Sequence, residues 1–109
     1  MSKFFESDKV RQEMEEITCL QKELYDVIIK FPSMSPEAKV EHIDTVKELL
    51  ERQQIMWTRL SLSDDPEAQK MKDYITSHSK TLGFGDTDMN TIFTNMKRTL
   101  DQVQSNLKR

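Results

Sequence analysis

Glycine and proline are scarce in this chain, at two and three residues in 109. So few turn formers leave little room for a β-sheet, because tight strand reversals rely on residues that tolerate positive φ. A single cysteine, Cys19, excludes an intramolecular disulfide. No long uncharged apolar run of the kind that spans a bilayer appears, and no secretory leader opens the sequence. A surplus of one charge is lacking too: 16 basic residues stand against 19 acidic ones, a net charge of −3. No basic field is therefore available to grip duplex nucleic acid through its phosphates. These absences lead to the expectation of a cytoplasmic protein with no membrane span, and nucleic acid is not an expected partner.

What the chain does have is periodicity. Hydrophobic residues make up 36% and charged residues 32% of the sequence, the balance of a well-solvated helical protein. A chain of this length buries roughly 65% of its unfolded surface, enough for one core without a disulfide or metal staple. Residues 1–109 are read as one helical domain. Val10, Met14, Ile17, Leu20, Leu24, Val27 and Phe31 recur at steps of three and four, which predicts a first helix over about 7–31. Pro32 stops it, and Ser35-Pro36 supplies a cap and a first-turn proline for a second helix over about 36–61. The second helix carries Val40, Ile43, Val46, Leu50, Trp57 and Leu60, and so short a link makes the two antiparallel neighbours.

Asp65-Pro66 repeats the cap-and-proline start for a short third helix, about 66–82, with Ala68, Met71, Ile75, His78 and Leu82 facing inward. Gly83 offers a left-handed cap at its end. Gly85-Asp86-Thr87 then offers the start of a fourth helix over about 87–107. Along it Met89, Phe93, Met96, Leu100, Val103 and Leu107 step in the 3.5-residue period of a coiled-coil seam. These six residues are the expected partner or oligomer surface. Their spacing leaves open whether the seam closes within one chain or between two.

Three stretches occur in a recognisable order: Phe4-Phe5-Glu6-Ser7 followed by Val10, then Arg59-Leu60-Ser61-Leu62-Ser63-Asp64-Asp65 with Ala68-Gln69, then Phe93-Thr94-Asn95-Met96-Lys97-Arg98-Thr99-Leu100. Together they span nearly the whole chain and resemble a small family of cyanobacterial and cyanophage proteins, known as domain of unknown function family 1825. The resemblance implies a compact all-helical protein made in a cyanobacterial cell by the host or its phage. The link from Phe31 to Ser35 is looser than the glycine- and basic-rich link expected of host members, which favours the phage. The family brings no catalytic residues to carry over.

Glu13 and Glu16, then Glu41 and Asp44, spell the paired acidic motifs of a MazG-like magnesium-dependent nucleotide pyrophosphohydrolase. Such carboxylates must converge on one ion, yet Glu41 and Asp44 fall on the side of their helix opposite Val46, Leu50 and Trp57. A solvated charged face is the better account. Glu13 lies within an apolar arc, which suits the rim of a helix seam with a basic partner. Asp86, Asp88 and Asn90 begin a calcium-loop spelling, but Thr91 and Lys97 stand where glycine and a bidentate glutamate are needed. Helix capping explains these residues.

His42 and His78 lack ligand spacing and are expected to be partly buried. Cys19 has acidic neighbours that disfavour a thiolate nucleophile. Met14, Met71, Met89 and Met96 sit at helical spacing and are read mainly as core, although methionines also build adaptable binding grooves. Phe4, Phe5, Met34 and Phe84 must fold back over helix ends or meet a partner.

The fold expectation is therefore all-α: a helical bundle built on a long antiparallel helix hairpin, with a short third and a heptad-like fourth helix. One short third helix cannot cover so much seam, so a homodimer or higher oligomer is expected. For function, the favoured reading is a non-enzymatic interaction or regulatory protein that meets a larger cytosolic protein through a helical surface, with no catalytic residue, cofactor or metal. The alternatives are the MazG-like hydrolase and a transcription- or nucleic-acid-associated factor whose basic end would be Lys97, Arg98, Lys108 and Arg109.

Overall fold

The computed structural model describes residues 3–108, and among these all regular structure is helical. The helices are α1 Lys3–Glu6, α2 Asp8–Ile28, α3 Pro36–Leu62, α4 Pro66–Ser79 and α5 Met89–Leu107. Each long helix starts on a side-chain cap. Ser7 accepts from the Val10 amide, Ser35 from Ala38, Asp65 from Glu67 and Asp88 from Asn90. Pro36 and Pro66 occupy first-turn positions, where a missing N–H costs no intrahelical bond.

Several boundaries differ from those the sequence suggested. The short α1 was not expected at all. Its Phe4 and Phe5 pack edge to face, with ring centroids 4.9 Å apart, and lean on the core cluster. Helix α2 stops at Ile28, and Phe31 belongs to a 3₁₀ turn, Phe31–Ser33, because Pro32 disfavours helical backbone in the residue before it. Helix α4 ends at Ser79, after which a single wide turn, Lys80–Phe84, leads to Gly83 at φ 97°. Only glycine adopts that backbone without strain. Helix α5 begins at Met89 with Asp88 as its cap, while Asp86 pairs with Lys80 at 3.3 Å.

Helix α3 is the spine. Along one side α2 joins it through ion pairs of Glu13 with Arg59 and Glu16 with Arg52. Along the other, α5 joins it through Lys97 with Glu51 at 2.9 Å and Asp101 with Lys47 at 2.5 Å. On both sides residue numbers fall along α3 as they rise along its neighbour. Helix α4 lies over the C-terminal part of α3, where Val10, Met56, Leu60 and Ala68 form one buried cluster. A second cluster joins Leu50, Trp57 and Phe93, and Ile75 of α4 packs against both.

The result is a flattened body measuring 49 × 30 × 19 Å. Its thin dimension is less than two helix diameters with side chains, at about 10–12 Å each. The radius of gyration is 15.8 Å, against about 13 Å for a compact domain of this length.

Candidate functional site

One face of the body opens into a groove of about 600 Å³. Leu50, Gln53 and Trp57 of α3 lie along its floor, and Met14, Ile17, Thr18 and Gln21 of α2 along one wall. Met89, Ile92, Phe93 and Met96 of α5 line the other wall. Met71, Ile75 and His78 of α4 border it, with Leu82 and Phe84 of the following turn. None of the described residues lining it is Asp, Glu, Lys or Arg, although charged residues are 32% of the chain. Random placement does not empty twenty positions of charge; the pattern reflects stripes that are apolar on more than the seam they close.

Helix α5 shows how the stripe divides. Phe93 and Leu100 pack against the Leu50–Trp57 cluster, and Gln104 is buried against α3. Met96 and Val103, at 41% and 40% exposed, sit at the edge. The six-residue surface read from the heptad spacing is thus split between an internal seam and an open one. Ile92 and Gln104, outside the heptad series, are among the buried residues. A 3.6-residue helix drifts across a 3.5-residue register, which carries these neighbours into the seam.

Gln104 is fully occupied. Its Nε2 donates to the Val40 carbonyl at 3.0 Å and to Asp44 Oδ1 at 2.6 Å, and its Oε1 accepts from Lys47 at 3.1 Å. A buried amide satisfied at both ends fixes the register of α5 on α3. A glutamine in a polar stretch carries no periodic signal, so only the distance between the helices could have exposed it.

The methionines were expected mainly in the core. Met71 and Met89 do pack against the two core clusters, whereas Met14 and Met96 are 36% and 41% exposed; with buried Met56 these make five of the seven methionines along the groove. Leu82, expected inside, is 62% exposed, because the backbone leaves α4 after Ser79. His78 is exposed as well, with its ring stacked on Tyr74 at 6.2 Å; buried Ser79 takes the inward position. His42 is half-buried beside the Phe31 ring. Cys19 is exposed.

The four carboxylates of the hydrolase motif do not meet. Glu13 forms a fork with Arg59, at 2.7 Å to Nε and 2.9 Å to Nη2, which supplies the basic partner its place on an apolar arc required. Glu16 is held by Arg52, roughly two turns beyond Asp44 along α3. Asp44 instead faces α5 through Gln104, and Glu41 is exposed. Among the described residues no group of three or more His, Cys, Asp or Glu is arranged to hold a metal ion. The basic end is also divided: Lys97 is engaged by Glu51, Lys108 closes the end of α5, and Arg109 lies outside the described residues.

Asp65 has a wider role than its cap. One oxygen accepts from the Glu67 amide at 2.9 Å, and the other accepts from the Phe4 amide at 2.9 Å. Ser63 receives the Asp65 amide at 3.1 Å, and Gln69 Nε2 donates to the Ser63 carbonyl at 2.6 Å. One carboxylate therefore ties the starts of α1 and α4 together.

Fold and groove define a small all-α protein whose most distinctive surface is an uncharged, methionine-rich channel between helices. The chain belongs to the family described as Domain of unknown function (DUF1825), whose model matches residues 2–107. No curated protein and no solved structure matches it.

Proposed function

We propose that this is a non-enzymatic helical interaction protein, which binds an apolar segment of another polypeptide in the groove between α2, α4 and α5. The observation that supports this reading is the absence of charge from the described groove lining in a chain so rich in it. Apolar surface left open in a monomer marks a binding site more often than chance exposure does. Methionine suits it, since an unbranched thioether repacks around differently shaped partners. In this reading the protein works in the cytosol of a cyanobacterial cell, as a product of the host or its phage, and regulates a larger protein by occupying it.

The test is a photo-cross-linking amino acid placed at Met14 or Met96, with Ile55 on the outer side of α3 as control, in the cell that makes the protein. The expected result is a polypeptide adduct from the two groove positions and none from Ile55. Groove positions that gave no polypeptide adduct would sink the reading.

A further inference from the structure

We propose that the polypeptide in the groove is a second copy of this chain, so that two protomers meet face to face about a two-fold axis. This rests on the interaction reading above, in that the groove binds a polypeptide, and gives the groove to a second copy in place of a larger protein.

The first ground is area. The chain exposes 7720 Å², whereas a folded monomer of its 12.9 kDa exposes about 6,300 Å². The excess is about 1,400 Å² per chain. Two chains that covered it would bury about 2,800 Å² together, within the range of about 2,000–5,000 Å² of obligate homodimers.

The second ground is charge. Away from the groove, α3 is lined with ion pairs, Glu48 with Arg52, Glu51 with Lys97 and Lys47 with Asp101, and a second chain docked there would have to strip water from them. The groove face repels nothing, because its described lining is uncharged. It also continues beyond the groove. Tyr25 and Ile28 follow Gln21 by four and seven residues, on the same side of α2, and are 75% and 58% exposed. Val103 continues the α5 wall one heptad past Met96.

The third ground is shape. Helix α4 has 14 residues and α3 has 27, about 21 Å against about 40 Å. The α4 contacts fall on the Leu50–Leu60 half of α3. Each face thus has a raised half and a low half. A two-fold axis across the face sets the α4 of one chain, with Leu82 and Phe84 at its end, over the low half of the other, which is the self-complementarity an isologous interface requires.

Sedimentation equilibrium of the full chain from about 1 to 100 µM tests this, alongside Tyr25→Asp, Met96→Glu and Ile55→Asp, with circular dichroism to verify helicity. Tyr25 is mostly exposed, so its substitution leaves the fold intact even if Met96→Glu does not. Wild type and Ile55→Asp should sediment at twice the chain mass, and the groove-face variants should dissociate at least about tenfold more readily. Wild type at the chain mass throughout, or dissociation by Ile55→Asp with the groove variants unaffected, would overturn the proposal. The cross-linking experiment separates the two ideas. A groove adduct of foreign mass removes the dimer and keeps the interaction reading, and no adduct removes both.

Discussion

The two halves of α3 have the same kind of sequence and different surroundings. At the C-terminal half, Leu60 is 2% and Ala68 0% exposed, Phe4 and Phe5 close over them, and Asp65 ties the covering helices in place. Toward the N-terminal half, equally apolar stripes on α2 and α5 flank a spine with no α4 over it, and Tyr25, Ile28 and Val103 stay exposed. An amphipathic stripe only states that a helix must bury something. The length of a neighbour, here the 14 residues of α4, decides whether that becomes core or contact surface.

The comparison breaks hardest at its closed end. Leu60→Ala removes the most enclosed large side chain, and unfolding in urea should show a loss of about 2–5 kcal/mol. A loss below about 1 kcal/mol would mean that this end is not the packed one. Next comes the carboxylate clasp. Asp65→Ala should cost about 1–2 kcal/mol, and hydrogen exchange should quicken at both Phe4 and Glu67. Faster exchange at Glu67 alone would reduce Asp65 to an ordinary cap. On the other flank, Gln104→Leu takes the donor from Asp44 Oδ1 and the acceptor from Lys47, and should cost about 1–2 kcal/mol in the same unfolding measurement. A neutral result would show that water satisfies the Asp44 carboxylate and the Lys47 amine.

The closed end was the more legible of the two. Ser35-Pro36 and Asp65-Pro66 announce helix starts through local chemistry, and the all-α class follows from periodicity and the shortage of turn residues. What stayed hidden depends on pairs distant in sequence. That Glu13 meets Arg59, that Gln104 meets Asp44 and Val40, and that the second oxygen of Asp65 reaches Phe4 are tertiary facts with no local signature. The groove was half visible. Its methionines stood out, but helical spacing is the same for a core residue and for one at the edge of an opening. Only the early end of α4 at Ser79 tells them apart.

The seam between α2 and α3 offers a smaller and sharper test. Glu13 is 15% and Arg59 39% exposed in the side chain; the edge of the fork between Glu13 Oε2 and Arg59 Nε is buried, and water reaches only its other edge. A double-mutant cycle of Glu13→Gln and Arg59→Met should give a coupling below about 1 kcal/mol that shrinks with added salt. A larger, salt-independent value would place the pair in the core and make the seam part of the closed region.

The smallest effect on the fold is expected at the open face. Met96 is 41% exposed, so in a dissociated chain Met96→Glu removes little packing and should shift stability by no more than about 0.5 kcal/mol. If chains pair through this face, the same substitution becomes costly as protein concentration rises, because association adds to the apparent stability of the wild type alone. Urea unfolding at two concentrations well separated in magnitude therefore reads both terms. A difference that grows with concentration belongs to an interface, whereas a large difference that ignores concentration would mean that Met96 is core and that the groove is closed.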